Sequence, residues 1–286
     1  MRPSMPPVTK WLLIINAVIF LIDVFGRSPG EKLGPINEWG VFRIESGWFG
    51  GQLWQLLTFQ FLHLSLAHVL FNSIAMFIFG PFVERHLGAR RFIAYYLICG
   101  IAGGLFFVLL WWLGLFPKAT VETPLLGASA GVFGLLFAVY RLAPNVQVQL
   151  LFPPITLTMR QLAMFASGYA VFMIIGGLMF PDSPWFWNSG GEAGHLGGAL
   201  MGLLLMRFPE LLNWAEGSKT KIVRPAAFGR RTKKRSYEAK IRPRTELELA
   251  VDDEIDRILD KVSEEGFGSL TPEERETLQE ASKQKK

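Results

Sequence analysis

The sequence predicts an all-α membrane protein whose body is a bundle of six transmembrane helices. Half of the 286 residues are hydrophobic, only 19% are charged, and the mean hydropathy is +0.30, which is too apolar for an ordinary soluble domain of this length. The apolar residues also form continuous runs rather than an alternating pattern. Continuous runs favour helices over a barrel, because a helix satisfies its own backbone hydrogen bonds in lipid.

Six apolar runs are long enough to cross a hydrocarbon core of about 30 Å, which takes roughly 20 helical residues. They lie near residues 8–26, 65–84, 92–116, 125–142, 160–180 and 190–208. The first run follows a short basic start, as a signal peptide would, but no small-residue cleavage site follows it and more apolar runs come later. We therefore predict an uncleaved first span and six spans in all.

The basic residues of the short loops predict the orientation of these spans, because cytoplasmic loops carry an excess of Lys and Arg. The second loop holds three arginines and the fourth holds two, whereas the third loop has one lysine and the fifth has no basic residue. The first loop is mixed, with three basic and three acidic residues. We expect a multi-pass protein of the cell inner (plasma) membrane with its N- and C-termini in the cytoplasm.

The chain is predicted to have three parts. These are a six-helix transmembrane domain over residues 1–212, a basic cytoplasmic linker over 213–244 and a small acidic helical hairpin over 245–286. Residues 217–244 contain 11 Lys or Arg and one Glu, a composition that is attracted to an anionic cytoplasmic leaflet. The segment from Thr271 to Glu274 then offers an N-cap, a proline at the first helical position and a capping-box acid.

Polar side chains within spans are costly and therefore informative. With the N-terminus inside, the second, fourth and sixth spans begin at the external face. His68 and Asn72, Ser129, and His195 then lie roughly 4 to 8 residues into these spans, or about 6 to 12 Å deep at 1.5 Å per residue. We expect these four side chains to meet. His63 is left out because it lies at the external boundary, and His86 because it lies in a basic loop.

Small residues allow these spans to approach one another closely. His68 and Asn72 are four residues apart and share one face of the second span. The glycines of the other two spans are Gly194, Gly198 and Gly202 on the sixth, and Gly127 and Gly131 on the fourth. Close approach is what a Ser-to-His hydrogen bond of about 2.6 to 3.2 Å needs.

Each of these residues also has an ordinary interpretation. A serine in a membrane helix commonly bonds the carbonyl one turn earlier, and a single histidine can line a proton path. The segment Gly127 to Gly131 also matches the G-x-S-x-G elbow of α/β-hydrolases, followed by Asp182 and His195 in that family's order. We reject the hydrolase interpretation, because that motif needs a strand, a sharp turn and a helix, whereas this serine lies near the start of an apolar span.

Three motifs occur together, and with them the chain resembles the rhomboid family of intramembrane serine proteases. The motifs are Gly127-Ala128-Ser129 on the fourth span, His195-Leu196-Gly197-Gly198 on the sixth and His68-Val69-Leu70-Phe71-Asn72 on the second, preceded by Phe61-Leu62-His63. The resemblance covers about residues 8–208. Two positions depart from the family pattern: Ala130 stands where Gly is usual, and Gly194 stands where Ala is common. Neither departure removes a catalytic side chain.

The resemblance implies that Ser129 is a nucleophile and His195 its general base and acid, in a dyad without a carboxylate. It also implies that the His68 and Asn72 side chains and the Ser129 backbone N–H stabilise an oxyanion. The supporting residues that it implies are Gly127, Phe133, which would stack on the histidine, and Gly198. The expected partners are single-span membrane protein substrates and the lipid bilayer, with no nucleic acid, no metal and no cofactor.

Two other functions stay open at this point. A non-catalytic relative that binds membrane helices would share the fold, but such relatives usually lack the serine or the histidine. A transporter would use the polar side chains as a substrate path and should show inverted repeats, and we find no convincing internal repeat.

For the enzyme, the fifth loop is short and apolar enough to act as a lid over the site; its residues include Pro181, Pro184, Trp185, Phe186 and Trp187.

Overall fold

The structure is a computed structural model that describes residues 4–150 and 154–216 and, near the C-terminus, residues 257, 258, 261, 270–275 and 277. The α-helices of the first two ranges are α1 (Pro7–Phe25), α2 (Pro35–Gly40), α3 (Gln55–Thr58), α4 (Leu66–Leu87), α5 (Ala89–Trp112), α6 (Ser129–Leu142), α7 (Met159–Met179) and α8 (Ser189–Arg207). Shorter helical turns are a π-helix over Ile44–Phe49 and 3-10 helices over Phe59–Phe61, Pro184–Phe186 and Pro209–Ala215. A small antiparallel hairpin, β1 (Gln147–Gln149) with β2 (Thr156–Thr158), lies in the fourth loop and was not predicted.

Four of the described helices, α1, α4, α5 and α7, are long and apolar enough to cross a membrane. The prediction of a helical, multi-pass membrane protein is therefore confirmed. The count of six spans stays a prediction. Helix α6 has only 14 residues, and α8 is rich in glycine rather than in large apolar side chains.

The start of α6 differs from the prediction. All six long helices begin and end within four residues of the predicted bounds; the fourth span was expected from residue 125, and α6 begins at Ser129. The reason is that the preceding backbone is bonded elsewhere. Leu125 forms an isolated antiparallel bridge with Phe42, and the Gly127 N–H donates to the Phe59 carbonyl oxygen at 2.9 Å. Ser129 therefore lies in the first turn of its helix, not one turn inside it.

Glycines bring α5, α6 and α8 into direct backbone contact at the centre of the bundle. A Cβ on Gly198 of α8 would collide with the Ala130 carbonyl oxygen of α6, and one on Gly202 would lie 2.9 Å from the Gly134 Cα. Gly194 has room for a Cβ, since the nearest atom to its Cβ position is 3.8 Å away, although its carbonyl oxygen lies 2.6 Å from the Cβ position of Gly103. The predicted small-residue stripe is thus confirmed at Gly198 and Gly202, but Gly194 is not needed for this packing.

The unusual Ala130 has a matching glycine across the interface. A Cβ on Gly103 of α5 would lie only 2.6 Å from the Ala130 Cβ, and Ala130 is almost completely buried. The methyl group that replaces the usual glycine on α6 therefore occupies space that Gly103 leaves open. The departure from the family pattern does not loosen the packing at this point.

Two buried charges join distant parts of the transmembrane unit. Glu84, in the last turn of α4, accepts hydrogen bonds from the backbone N–H groups of Val8 and Thr9 at 2.9 and 2.7 Å, which satisfies unpaired donors at the start of α1. Arg91 of α5 donates to Asn213 at 2.8 Å and pairs with Glu216 at 2.5 Å. The short segment after α8 is therefore fastened to α5.

The structure divides into two compact units, residues 1–223 and 224–286. In the second unit the Glu274 N–H donates to the Thr271 hydroxyl at 3.2 Å, and the Thr271 N–H donates to the Glu274 carboxylate at 2.8 Å. The predicted capping box is therefore confirmed. These bonds and a contact from Lys261 lower the pKa of Glu274 to about 2, so the cap is intact at neutral pH. Most of the other residues of the predicted hairpin lie outside the described residues.

Candidate active site

The four polar side chains singled out from the sequence line one cavity of about 840 Å³. His68 and Asn72 come from α4, Ser129 from α6 and His195 from α8. The cavity is closed on one side by residues of the third and fifth loops. The structure thus brings together side chains that are distant in the sequence: the first and the last of the four, His68 and His195, are 127 positions apart.

Gly127 is the reason that His68 and Ser129 lie next to each other. Its φ of +134° is a conformation that side-chain-bearing residues rarely adopt. A Cβ at this position would also lie 2.7 Å from His68 Nε2 and 3.5 Å from Ser129 Oγ. Only glycine fits here, and its small size lets the imidazole of His68 pack against the backbone just before Ser129.

Ser129 is the first residue of α6, a position with a chemical consequence. The first N–H groups of a helix have no partner within the helix, and the partial positive charge of the helix N-terminus favours a negative group nearby. Both the hydroxyl and the backbone N–H of Ser129 are thus at the end of α6 that faces the cavity. An oxyanion formed on a substrate carbonyl at Ser129 would meet this end of the helix.

The ring of His195 is held on two sides. Phe133, one turn after Ser129 on α6, stacks on its face with ring centroids 4.2 Å apart and an interplanar angle of 11°. Glu192, one turn earlier on α8, places Oε2 at 2.8 Å from His195 Nδ1. The stacking agrees with the expectation drawn from the resemblance. The resemblance also implied a dyad without a carboxylate; in the structure the Glu192 carboxylate lies within hydrogen-bond distance of the His195 ring, and the dyad stays a prediction.

Glu192 was missed in the sequence, although a signal was present. Residues three apart on a helix are neighbours on its surface, and Glu192 precedes His195 by three positions. The family motif begins at the histidine and continues after it, so it does not include this glutamate. Its side chain is buried, and the Asn188 amide lies 3.4 Å from its second oxygen.

Asn72 contributes an unused donor to the cavity. Its side chain is buried, and among the residues that the structure describes no acceptor lies within hydrogen-bond distance of Nδ2. His68, on the same face one turn earlier, is placed by the Ser65 N-cap, whose hydroxyl accepts from the His68 N–H at 3.2 Å. Both side chains line the cavity that contains Ser129.

His63, which was left out because it was predicted to lie at the external boundary, contacts one of the cavity residues. It is completely buried and packs edge-on against His68, with ring centroids 4.9 Å apart and an interplanar angle of 72°. The Asn37 amide donates to the His63 carbonyl oxygen at 3.2 Å and holds this segment in place. The buried ring of His63 therefore packs against the ring of His68 and helps to hold it in place.

The fifth loop covers part of the cavity. Pro181, Phe186 and Trp187 line it, and Phe186 packs against α7 through Phe172, with ring centroids 5.5 Å apart. Asp182 pairs with Lys118 of the third loop at 2.6 Å, not with His195, which agrees with rejecting the hydrolase interpretation. Within the described residues, no three His, Cys, Asp or Glu side chains are grouped so that they could hold a metal ion.

Comparison with known protein families identifies the transmembrane unit. The rhomboid domain matches residues 50–208, which is more than half of the chain. The match contains the four polar residues singled out above, His68, Asn72, Ser129 and His195. The chain belongs to the rhomboid family. A second family, described as a family of unknown function (DUF6576), matches residues 250–284. That segment is not part of the rhomboid match.

Several known rhomboid proteins are similar to this chain. "Putative rhomboid protease YdcA" of Bacillus subtilis is 33% identical over 47% of this chain and 61% of its own length. "Rhomboid protease GluP" of the same organism is 31% identical over 48% of this chain and 25% of its own length. "Inactive RHOMBOID-like protein 8" of Arabidopsis thaliana is 30% identical over 49% of this chain and 35% of its own length. The chain thus spans less than two thirds of each of these relatives, and they include a protein named as inactive.

Proposed function

We propose that this rhomboid-family protein is a serine endopeptidase that cleaves transmembrane segments of other membrane proteins. Ser129 is the nucleophile and His195 the general base. The observation that carries the proposal is that Ser129, at the start of α6, shares a cavity with a histidine whose ring is fixed by Phe133 and Glu192. A serine and a base held in one water-accessible cavity are the minimum that acyl transfer needs.

The reaction follows from these positions. His195 takes the hydroxyl proton of Ser129 as Oγ attacks the substrate carbonyl carbon, and the carbonyl electron pair moves to oxygen. The tetrahedral oxyanion is met by the Ser129 N–H and by the side chains of His68 and Asn72. His195 then gives the proton to the leaving amine, and a water molecule, deprotonated by His195, releases the acyl group from Ser129.

The length of α6 supports a site below the membrane surface. Its 14 residues make a helix about 21 Å long at 1.5 Å per residue, which is shorter than a hydrocarbon core of about 30 Å. If the C-terminal end of α6 lies at the cytoplasmic interface, Ser129 lies inside the core near the external face. The proposal therefore includes six membrane crossings, with α6 and α8 completing the bundle, both termini in the cytoplasm and the cell inner membrane as location.

The proposed substrates are single-span membrane proteins cut near the external end of their helices. A peptide bond inside a helix is shielded by the neighbouring turns, so a substrate helix has to unwind before its carbonyl reaches Ser129. Residues that destabilise helices, such as Gly and Pro, should therefore favour cleavage. The cavity holds room for an extended segment beneath the fifth loop.

Labelling with a fluorophosphonate probe tests the proposal without knowledge of the natural substrate. An activated serine reacts with the probe because the base raises its nucleophilicity and the oxyanion donors stabilise the adduct. We expect labelling of the wild type at Ser129, none in Ser129→Ala and severe loss in His195→Ala. The same variants should fail to cleave a model transmembrane substrate in detergent.

Two matched variants control for general damage. Ser167 donates to the Ala163 carbonyl at 2.8 Å, the ordinary role of a serine in a membrane helix, so Ser167→Ala should label like the wild type. His86→Ala, at the opposite end of α4 from His68, should do the same. Cleavage by Ser129→Ala, or full labelling of His195→Ala, would overturn the mechanism. A folded wild type that neither labels nor cleaves would support the non-catalytic alternative.

A further inference from the structure

A buried carboxylate lies behind the proposed general base. Glu192 Oε2 is 2.8 Å from His195 Nδ1, and the Glu192 side chain is 6% exposed. Glu192 is not among the residues that line the cavity. The carboxylate therefore lies at the Nδ1 edge of the imidazole and is not part of the cavity wall.

The surroundings of Glu192 leave His195 as its main polar partner. A buried carboxylate is costly unless it is paired or hydrogen-bonded, and among the described residues no Lys or Arg forms an ion pair with it. Its other polar contact is the Asn188 amide at 3.4 Å. Glu192 also lies in the first turn of α8, where the helix N-terminus favours negative charge. The N-terminus of α8 thus stabilises the negative charge of Glu192, and the carboxylate contacts the imidazole of His195.

The contacts of His195 complement each other. Phe133 restrains the face of the ring and Glu192 restrains its edge at Nδ1, which leaves Nε2 as the ring nitrogen without either contact. An acceptor at Nδ1 selects the tautomer that carries its proton there. The lone pair is then on Nε2, which is the state that a general base requires.

We propose that Glu192 is a positioning residue that completes a Ser129–His195–Glu192 triad, an inference that rests on the proposed function. Glu192 accepts a hydrogen bond from the His195 Nδ1–H, orients the ring and stabilises the imidazolium that forms when the Ser129 proton moves to Nε2. The proton stays on the imidazole, and the carboxylate remains ionised throughout. The charge of Glu192 therefore acts on the transition state through His195 alone.

Glu192→Gln is the most informative substitution. The amide keeps the size of the side chain but removes its charge, and its NH₂ group can face Nδ1 and favour the wrong tautomer. In a soluble triad the equivalent change of carboxylate to amide lowers kcat about 10⁴-fold. We expect kcat for a model transmembrane substrate to fall by roughly 10²- to 10⁴-fold with KM changed by less than about 3-fold, since Glu192 is not part of the cavity wall.

Three further variants separate positioning from a merely structural role. Glu192→Asp keeps the charge on a shorter side chain and should recover part of the lost kcat. Glu210→Gln, on an exposed glutamate after α8, should behave like the wild type. In a His195→Ala background Glu192→Gln should cause no further loss of residual probe labelling, because groups that act as a unit are non-additive.

The outcomes distinguish this inference from the proposed function. Wild-type kcat in Glu192→Gln, or an equal additional loss in the His195→Ala background, would overturn the triad while leaving the dyad intact. A wild type that never labels at Ser129 would instead overturn the proposed function. If Glu192→Gln does not fold, ¹⁵N-histidine spectra of the wild type decide: a proton on Nδ1 of His195 is expected, and a proton on Nε2 alone contradicts the triad.

Discussion

At the scale of single residues, the Asn72 side chain has a donor that is not used within the fold: Nδ2 has no acceptor among the described residues. Such groups persist where they have a use in another state. Asn72 faces the cavity of Ser129, so an oxyanion formed there would supply the missing acceptor.

Asn72→Ala should therefore slow turnover without loosening the fold. Removal of one oxyanion donor costs about 10²- to 10³-fold in kcat in a soluble serine protease, and we expect a loss in or just below that range because His68 and the Ser129 N–H remain. The measurement is kcat and KM on a model transmembrane substrate, with thermal unfolding in parallel. Asn145→Ala, on an exposed loop residue, is the control. An unchanged kcat in folded Asn72→Ala would exclude Asn72 from the mechanism.

At the scale of elements, the site depends on how closely α6 and α8 approach each other. Ser129 is on one of these helices and His195 on the other, and Gly198 lies against the Ala130 backbone, one residue from the serine. No side-chain rearrangement can relieve a clash with backbone atoms. The close approach of the two helices that carry the proposed catalytic groups therefore needs a residue without a Cβ at position 198.

Gly198→Ala should separate the helices and reduce both stability and activity. Overpacking of a close contact costs about 1 to 3 kcal/mol and occasionally more, here at a backbone-to-backbone contact. Gly168→Ala is the matched control, since no atom lies within 4 Å of its Cβ position on α7, and there alanine is neutral or slightly stabilising. Thermal unfolding in detergent measures the difference. Equal unfolding temperatures for the two variants would show that α8 can shift without cost.

At the scale of the whole molecule, the boundary between the membrane unit and the tail lies beyond the last helix. Arg91 is buried in α5, and its side chain bonds Asn213 and Glu216. These partners follow the residue at which the sequence predicted the transmembrane domain to end. A cut at that predicted boundary would leave a buried guanidinium without them.

We therefore expect two truncations to behave differently. A chain ending at Val223 keeps both partners of Arg91 and should cleave a model substrate at a rate close to that of the full chain. A chain ending at Leu212 loses both, and breaking a buried ion pair costs about 3 to 5 kcal/mol, so it should unfold at lower temperature. Inactivity of the folded, longer truncation would mean that the segment matching the second family takes part in cleavage.

Much of the fold could be predicted from the sequence because lipid allows a membrane-spanning segment few backbone conformations. Continuous apolar runs have to form helices in a membrane, and all six long helices begin and end within four residues of their predicted bounds. The cavity residues could be predicted for a related reason. A polar side chain in a span has few acceptable positions, so equal depth on alternate helices was enough to group His68, Asn72, Ser129 and His195.

The sequence by itself thus predicted the six long helices, the family to which the chain belongs and the four polar side chains that line the cavity. The tertiary structure alone decided three features that depend on non-local contacts. The bridge between Leu125 and Phe42 delays the start of α6 until Ser129, and the packing of loop 1 buries His63 behind His68. Burial of Glu192 leaves His195 as its main partner. Hydrophobicity along the chain reports only whether a residue is in lipid, whereas these contacts depend on which distant backbone and side-chain groups lie beside it.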